Sequence, residues 1–151
     1  HALYPPNHPE ILKTNVNLGA CLNRAGRPSE AIPLLTIAHA ERATTFGADH
    51  WSTFSARLHL IEAHLRTGTT NDAAALLNDA RPVATALQEG TSKWSGPLHQ
   101  AMHGAWLVRT GSTTEGFAEL DTALGELRDR YGADNDYTRR VADLRRTAES
   151  W

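Results

Sequence analysis

The side chains whose spacing suits them best to chemistry are three arginines and two histidines. Arg24, Arg66 and Arg109 each stand two residues before a glycine, Gly26, Gly68 and Gly111. A guanidinium presents a planar fork of N–H donors that fits a carboxylate, so the three together would form a ladder for an acidic or C-terminal carboxylate ligand. The same place has a second chemistry: a cation in the last turn of a helix meets unsatisfied carbonyls and the negative end of the dipole, worth a few tenths to about 1 kcal/mol. Both uses are open at this level. His99 and His103 lie four residues apart, a spacing that can chelate a metal on one helical face, but Gln100 stands where a zinc-protease motif needs Glu. No third ligand is identifiable, and His59 and His64 would join them only if neighbouring helices brought them together. The histidines therefore read as packing or surface residues, and no metal and no cofactor is expected.

Catalysis finds no foothold. There is no Gly-x-Ser-x-Gly, no phosphate-binding Gly-Lys-Ser/Thr, and no carboxylate pair at a pocket-forming place, so no catalytic residue is assigned and the chain is expected not to be an enzyme. Net charge is −2 and no Lys/Arg run exceeds a pair, which gives no electrostatic argument for nucleic acid or an anionic membrane, and neither is expected as a partner. Cys21 is the single cysteine, so no intrachain disulfide can form. No stretch approaches the roughly 20 apolar residues of a membrane span, and a cytoplasmic location is expected. Arginine outnumbers lysine, which points to a GC-rich bacterial source. The chain begins at His1 rather than Met and is expected to be a fragment or processed product of a longer protein.

The elements that must position these side chains are announced by a repeated skeleton. Gly26, Glu30, Ala31, Leu35 and Ala38 recur as Gly68, Asp72, Ala73, Leu77 and Ala80, and again as Gly111, Glu115, Gly116, Leu120 and Ala123, with a period of 42 and then 43 residues. Glycine ends a first helix by taking the left-handed conformation. The acidic residue then falls in the first turn of a second helix, where the dipole favours it. The small residue, Leu and Ala follow at i, i+4 and i+7 on one face of that helix. The predicted helices are Pro9–Arg24, Pro28–Phe46, Trp51–Arg66, Thr70–Gln88, Ser95–Arg109, Thr113–Tyr131 and Tyr137–Ser150. His1–Asn7, with Pro5-Pro6, reads as a linker. Pro33 is placed in an opening turn, and a kink is expected at Pro82.

A fixed period of this length means stacked supersecondary units, and the skeleton resembles that of the tetratricopeptide repeats. The longer period resembles the variant of kinesin light chains and many bacterial proteins, in which a His-Pro or Gly-x-Asp-His segment precedes each first helix. Asn7-His8-Pro9-Glu10, Gly47-Ala48-Asp49-His50 and Gly132-Ala133-Asp134-Asn135 stand at those places, and Gly90-Thr91-Ser92-Lys93 departs from the pattern. The resemblance implies an all-α, right-handed α-solenoid of about seven helices, with repeats at about 8–49, 50–92 and 93–134 and an additional helix at 137–150. It implies a non-catalytic scaffold that binds a peptide or protein, acidic in the ladder reading, on a concave face lined by the first helices. Aligned by their terminal glycines, those helices present Lys13, Asn17, Ala20 and Arg24; Ser55, His59, Glu62 and Arg66; and Leu98, Met102, Ala105 and Arg109. The partner-binding residues expected are Lys13, Asn17, Arg24, His59, Glu62, Arg66, Met102 and Arg109. Asn17 resembles the asparagine with which some members hold a peptide backbone.

The alternative is a self-assembling solenoid. Tyr137, Val141, Leu144, Ala148 and Trp151 form one apolar stripe on the last helix, and Tyr137, Val141, Leu144 and Trp151 are the residues expected to self-associate through an open end into a homo-oligomer. The closing run from Gly132 to Trp151 is also similar to repeats that follow bacterial serine/threonine kinase domains and to those of bacterial signalling ATPases, which implies a regulatory region of such a protein.

Overall fold

Local chemistry at the ends of the helices sets the course of the chain. The computed structural model describes residues 3–5 and 7–151, and among these it is helical without a strand. Its elements are α1 (Pro9–Arg24), α2 (Pro28–Phe46), α3 (Trp51–Thr67), α4 (Thr70–Glu89), α5 (Ser95–Arg109), α6 (Thr113–Tyr131) and α7 (Asp136–Ala148). In the linker read at His1–Asn7, His1, Ala2 and Pro6 lie outside the described residues. Pro9 and Pro28 open α1 and α2, where a missing N–H belongs to no helical bond. Pro33 is not in the opening turn as expected but in the second turn of α2, and α4 continues across Pro82 as one helix.

The three expected turns are the same turn. Gly26, Gly68 and Gly111 have φ of 74°, 81° and 101°. Around each, an amide reaches back over the helix end: Arg27 N–H to the Leu22 carbonyl at 2.9 Å, Thr69 to His64 at 3.0 Å, Ser112 to Leu107 at 2.9 Å. Each glycine N–H also bonds the carbonyl three residues back, at Asn23, Leu65 and Val108, which completes a Schellman motif. A Cβ at Gly26 or Gly111 would meet nothing within 4 Å, so the backbone conformation alone requires glycine there. At the other end of the chain α7 stops at Ala148 rather than Ser150. Glu149, Ser150 and Trp151 each donate to the carbonyl three residues back, so the helix tightens into a turn.

The chain divides into two compact units, His1–Thr69 and Thr70–Trp151. In the first, α2 packs on α1 and α3, and α1 packs on α3. Val16, Ala38 and Ala56 meet in a buried cluster, one from each helix. The Asn23 side chain of α1 donates to the His59 carbonyl of α3 at 3.0 Å, and Arg42 of α2 donates to the Ser52 carbonyl of α3 at 2.8 Å. In the second unit, α5 packs on α4, α6 and α7, and α6 packs on α7. The α5 and α6 backbones come close enough that a Cβ on Gly104 would stand 2.7 Å from the Gly116 carbonyl oxygen. Ala38, Ala80 and Ala123 are all fully buried, as their common place in the skeleton requires.

Candidate functional site

The first-helix face of the N-terminal unit is formed by α1 and α3. On α1, Lys13, Asn17 and Arg24 are exposed, and Arg24 Nη2 lies 3.6 Å from Cys21 Sγ. On α3 the expected surface is largely used up. Glu62 is 3% exposed, and its carboxylate takes both Nε and Nη2 of Arg66 at 3.0 Å. Expected as partner-binding residues, these two instead hold each other one helical turn apart, with side chains 9% (Arg66) and 3% (Glu62) exposed. His59 is half-buried.

In the C-terminal unit the corresponding places on α5 are apolar and closed. Met102 is fully buried and so has no surface for a ligand; Leu98 and Ala105 are buried with it. Arg109 is half-buried, and its guanidinium lies over the Trp151 ring at 4.6 Å, a cation–π geometry. The signal for that contact is in the register: Arg24, Arg66, Arg109 and Trp151 are spaced by 42, 43 and 42 residues, so Trp151 takes the fourth place of the arginine series.

Of the residues expected to self-associate, two are closed off within their own unit and two keep part of their surface. Val141 and Leu144 are fully buried, because α7 lays this stripe on α5 and α6. Tyr137 is half-buried, stacked on Trp94 at 5.3 Å and edge-on to Tyr131 at 5.7 Å, and burial raises its hydroxyl above the usual range. Trp151 is half-buried under Arg109. The outer side of α7 is tied to α6 by Arg145, which bonds Asp121 and also Glu149 at 2.7 Å.

The histidines of α5 have neighbours of their own. His99 Nε2 donates to the Leu77 carbonyl of α4 at 3.0 Å, and burial pushes the imidazole below its ordinary range. His103 Nδ1 donates to Glu119 of α6 at 2.7 Å, and Trp106 stacks near its ring while donating to the Thr70 carbonyl. In the first unit Arg57 Nε donates to His39 Nε2 at 3.1 Å, and burial, with the charge of Arg57, lowers His39 as well. Among the described residues no three His, Cys, Asp or Glu side chains are placed to hold a metal ion. An open, largely acidic depression of about 610 Å³ runs along α6, lined by Asp121, Thr122, Gly125, Glu126, Asp129 and Arg130. No described helix is long and apolar enough to cross a membrane.

No family model, no curated protein and no solved structure matches the chain.

Proposed function

We propose that the chain is a right-handed stack of tetratricopeptide-type helix pairs and acts as a non-catalytic, cytoplasmic scaffold, gripping an extended peptide along the face of its first helices. The observation that carries this reading is the side-by-side packing of first helices, α1 on α3 and α5 on α7, at the places where the glycine turns recur in register. Within each unit that arrangement lays two first helices side by side, which is how neighbouring units of a helical repeat present an extended ligand site. The ligand surface centres on Lys13, Asn17 and Arg24, the expected residues that are exposed. The two cations suit an acidic peptide and Asn17 can bond its backbone. Arg66 and Arg109 act through Glu62 and Trp151 rather than by direct contact. A scaffold of this kind would serve as the partner-reading portion of a longer signalling protein.

The experiment is selection of peptides from a displayed random library on the purified chain, followed by titration of the selected peptides on the triple variant Lys13→Ala, Asn17→Ala, Arg24→Ala. Enrichment of acidic peptides and loss of binding in the variant are expected; equal binding by a folded triple variant overturns the reading. Self-assembly is the second reading. Leu18 and Ile37, 47% and 57% exposed, favour it at α1 and α2, whereas the burial of Val141 and Leu144 counts against it at α7. Size exclusion with light scattering separates the two.

A further inference from the structure

Arg42 of α2 is a buried cation without a carboxylate of its own. It is 8% exposed. Its place recurs at Ala84 and Leu127, 42 and then 43 residues on, and both of these are buried and apolar, so packing asks for no charge there. Burial holds the Arg42 guanidinium below its ordinary range, and no carboxylate opposes that shift. A charge taken out of water in this way is ordinarily paired. Glu41 precedes it in the chain and Asp49 lies exposed in the turn after α2, but the only bond Arg42 makes among the described residues is to a backbone carbonyl.

Other guanidiniums of the chain show which edge takes an anion. Arg27 sets Nε and Nη2 side-on against the Glu30 carboxylate at 2.7 and 2.6 Å. Arg66 sets the same two nitrogens on Glu62 at 3.0 Å, and Arg145 sets them on Asp121. At Arg42 it is the opposite nitrogen that is spent, Nη1 donating to the Ser52 carbonyl at 2.8 Å. Nε is buried with no partner, and Nη2 bonds nothing in the chain. The Nη1 bond fixes the guanidinium against the first turn of α3. There His50 Nδ1 accepts the Ser52 N–H at 3.1 Å, while the Trp51 and Thr53 N–H groups have no acceptor among the described residues. The start of a helix favours negative charge through these amides and the dipole.

We propose that the Nε–Nη2 edge of Arg42, with the first turn of α3, is a binding site for an exogenous carboxylate, taken side-on through two charge-assisted hydrogen bonds. The carboxylate belongs either to a small carboxylic acid or to an acidic side chain of a partner, and the chemistry of capture is the same for both. The site shares no residue with Lys13, Asn17 and Arg24, so it stands whether or not those three bind a peptide.

The test titrates the whole chain at neutral pH with sodium acetate and, separately, with a terminally blocked peptide holding a single glutamate, each against sodium chloride at equal ionic strength. Urea unfolding reads the folding constant. At a carboxylate concentration about ten times its Kd, that constant should rise about elevenfold in the wild type. It should not rise in Arg42→Leu, which takes the side chain found at Leu127, and Arg42→Lys, which keeps the charge but loses the planar fork, should lose most of the effect. Arg24→Ala should respond as the wild type does. Tighter acetate assigns the site to small acids and tighter peptide to a partner's side chain. No rise in the wild type, or an equal rise in Arg42→Leu, overturns the proposal. Should Arg42→Leu not fold, NMR of the wild type decides: the Arg42 Nε–H signal should move downfield and saturate with carboxylate but not with chloride. An unmoved signal overturns it.

Discussion

The approach of α5 to α6 should deny one glycine-to-alanine change the gain that another, away from the contact, keeps. A Cβ on Gly104 would lie 2.7 Å from the Gly116 carbonyl oxygen, 3.0 Å from Glu119 Cβ and 3.1 Å from Leu120 N, all on α6. Unbonded carbon contacts are comfortable at about 3.5 Å and beyond, and two of these three atoms are backbone, which no rotamer change can move. The helices would have to part, at an overpacking cost of about 1–3 kcal/mol. Alanine in a helix interior gains about 1 kcal/mol over glycine, so Gly104→Ala should be neutral or destabilise by up to about 2 kcal/mol. Gly125, inside α6, has nothing within 4 Å of its would-be Cβ, so Gly125→Ala should keep the full gain of about 1 kcal/mol. Urea unfolding followed by helical circular dichroism should therefore move the two midpoints apart, upward for Gly125→Ala and level or downward for Gly104→Ala. Gly104→Ala rising as far as Gly125→Ala would refute the backbone contact. Gly116→Ala probes the same approach from the other side, and the double variant should lose less than the sum of the singles.

Glu62 and Arg66 bond each other with side chains at least nine-tenths buried, so Glu62→Ala or Arg66→Ala should lower stability by about 1.5–3 kcal/mol, the range for hydrogen bonds to charged groups. Arg24→Ala, at an exposed place, should stay within about 0.5 kcal/mol; equal midpoints for the three would contradict the pairing. His39 and His99 are both held below their ordinary value of 6.5 by burial. The unfolded chain thus takes up protons first on acidification, and their contribution, whole above pH 6.5, is lost as the pH falls from there toward the folded values. Urea midpoints at about pH 7.5 and 5.5 should differ in the wild type and differ less in the double variant His39→Gln, His99→Gln.

The glycine turns were legible because Gly26, Gly68 and Gly111 need a backbone conformation that other residues resist, and such a need shows in composition. Helix starts were legible for the same kind of reason, through Pro9 and Pro28. Which side of each first helix stays open was not, since spacing places Lys13 and Met102 on equivalent faces without saying what covers them. The Glu62–Arg66 spacing of four was itself a sign that this arginine had a partner, a sign that Arg24 and Arg109 lack, with alanines at residues 20 and 105. The end of α7 escaped because nothing between Ala148 and Trp151 breaks a helix by type; the turn arises from three short-range amide bonds.

The packing pattern has a consequence for how the chain reaches this structure. Within each unit every helix touches only the next one or the next but one, so the loops closed on folding are short and their entropic cost is low. Folding should be fast and should begin wherever a helix pair first closes on its glycine turn, the regime of helical proteins with low contact order. A lesion at one turn would then slow its own unit rather than stall the whole molecule.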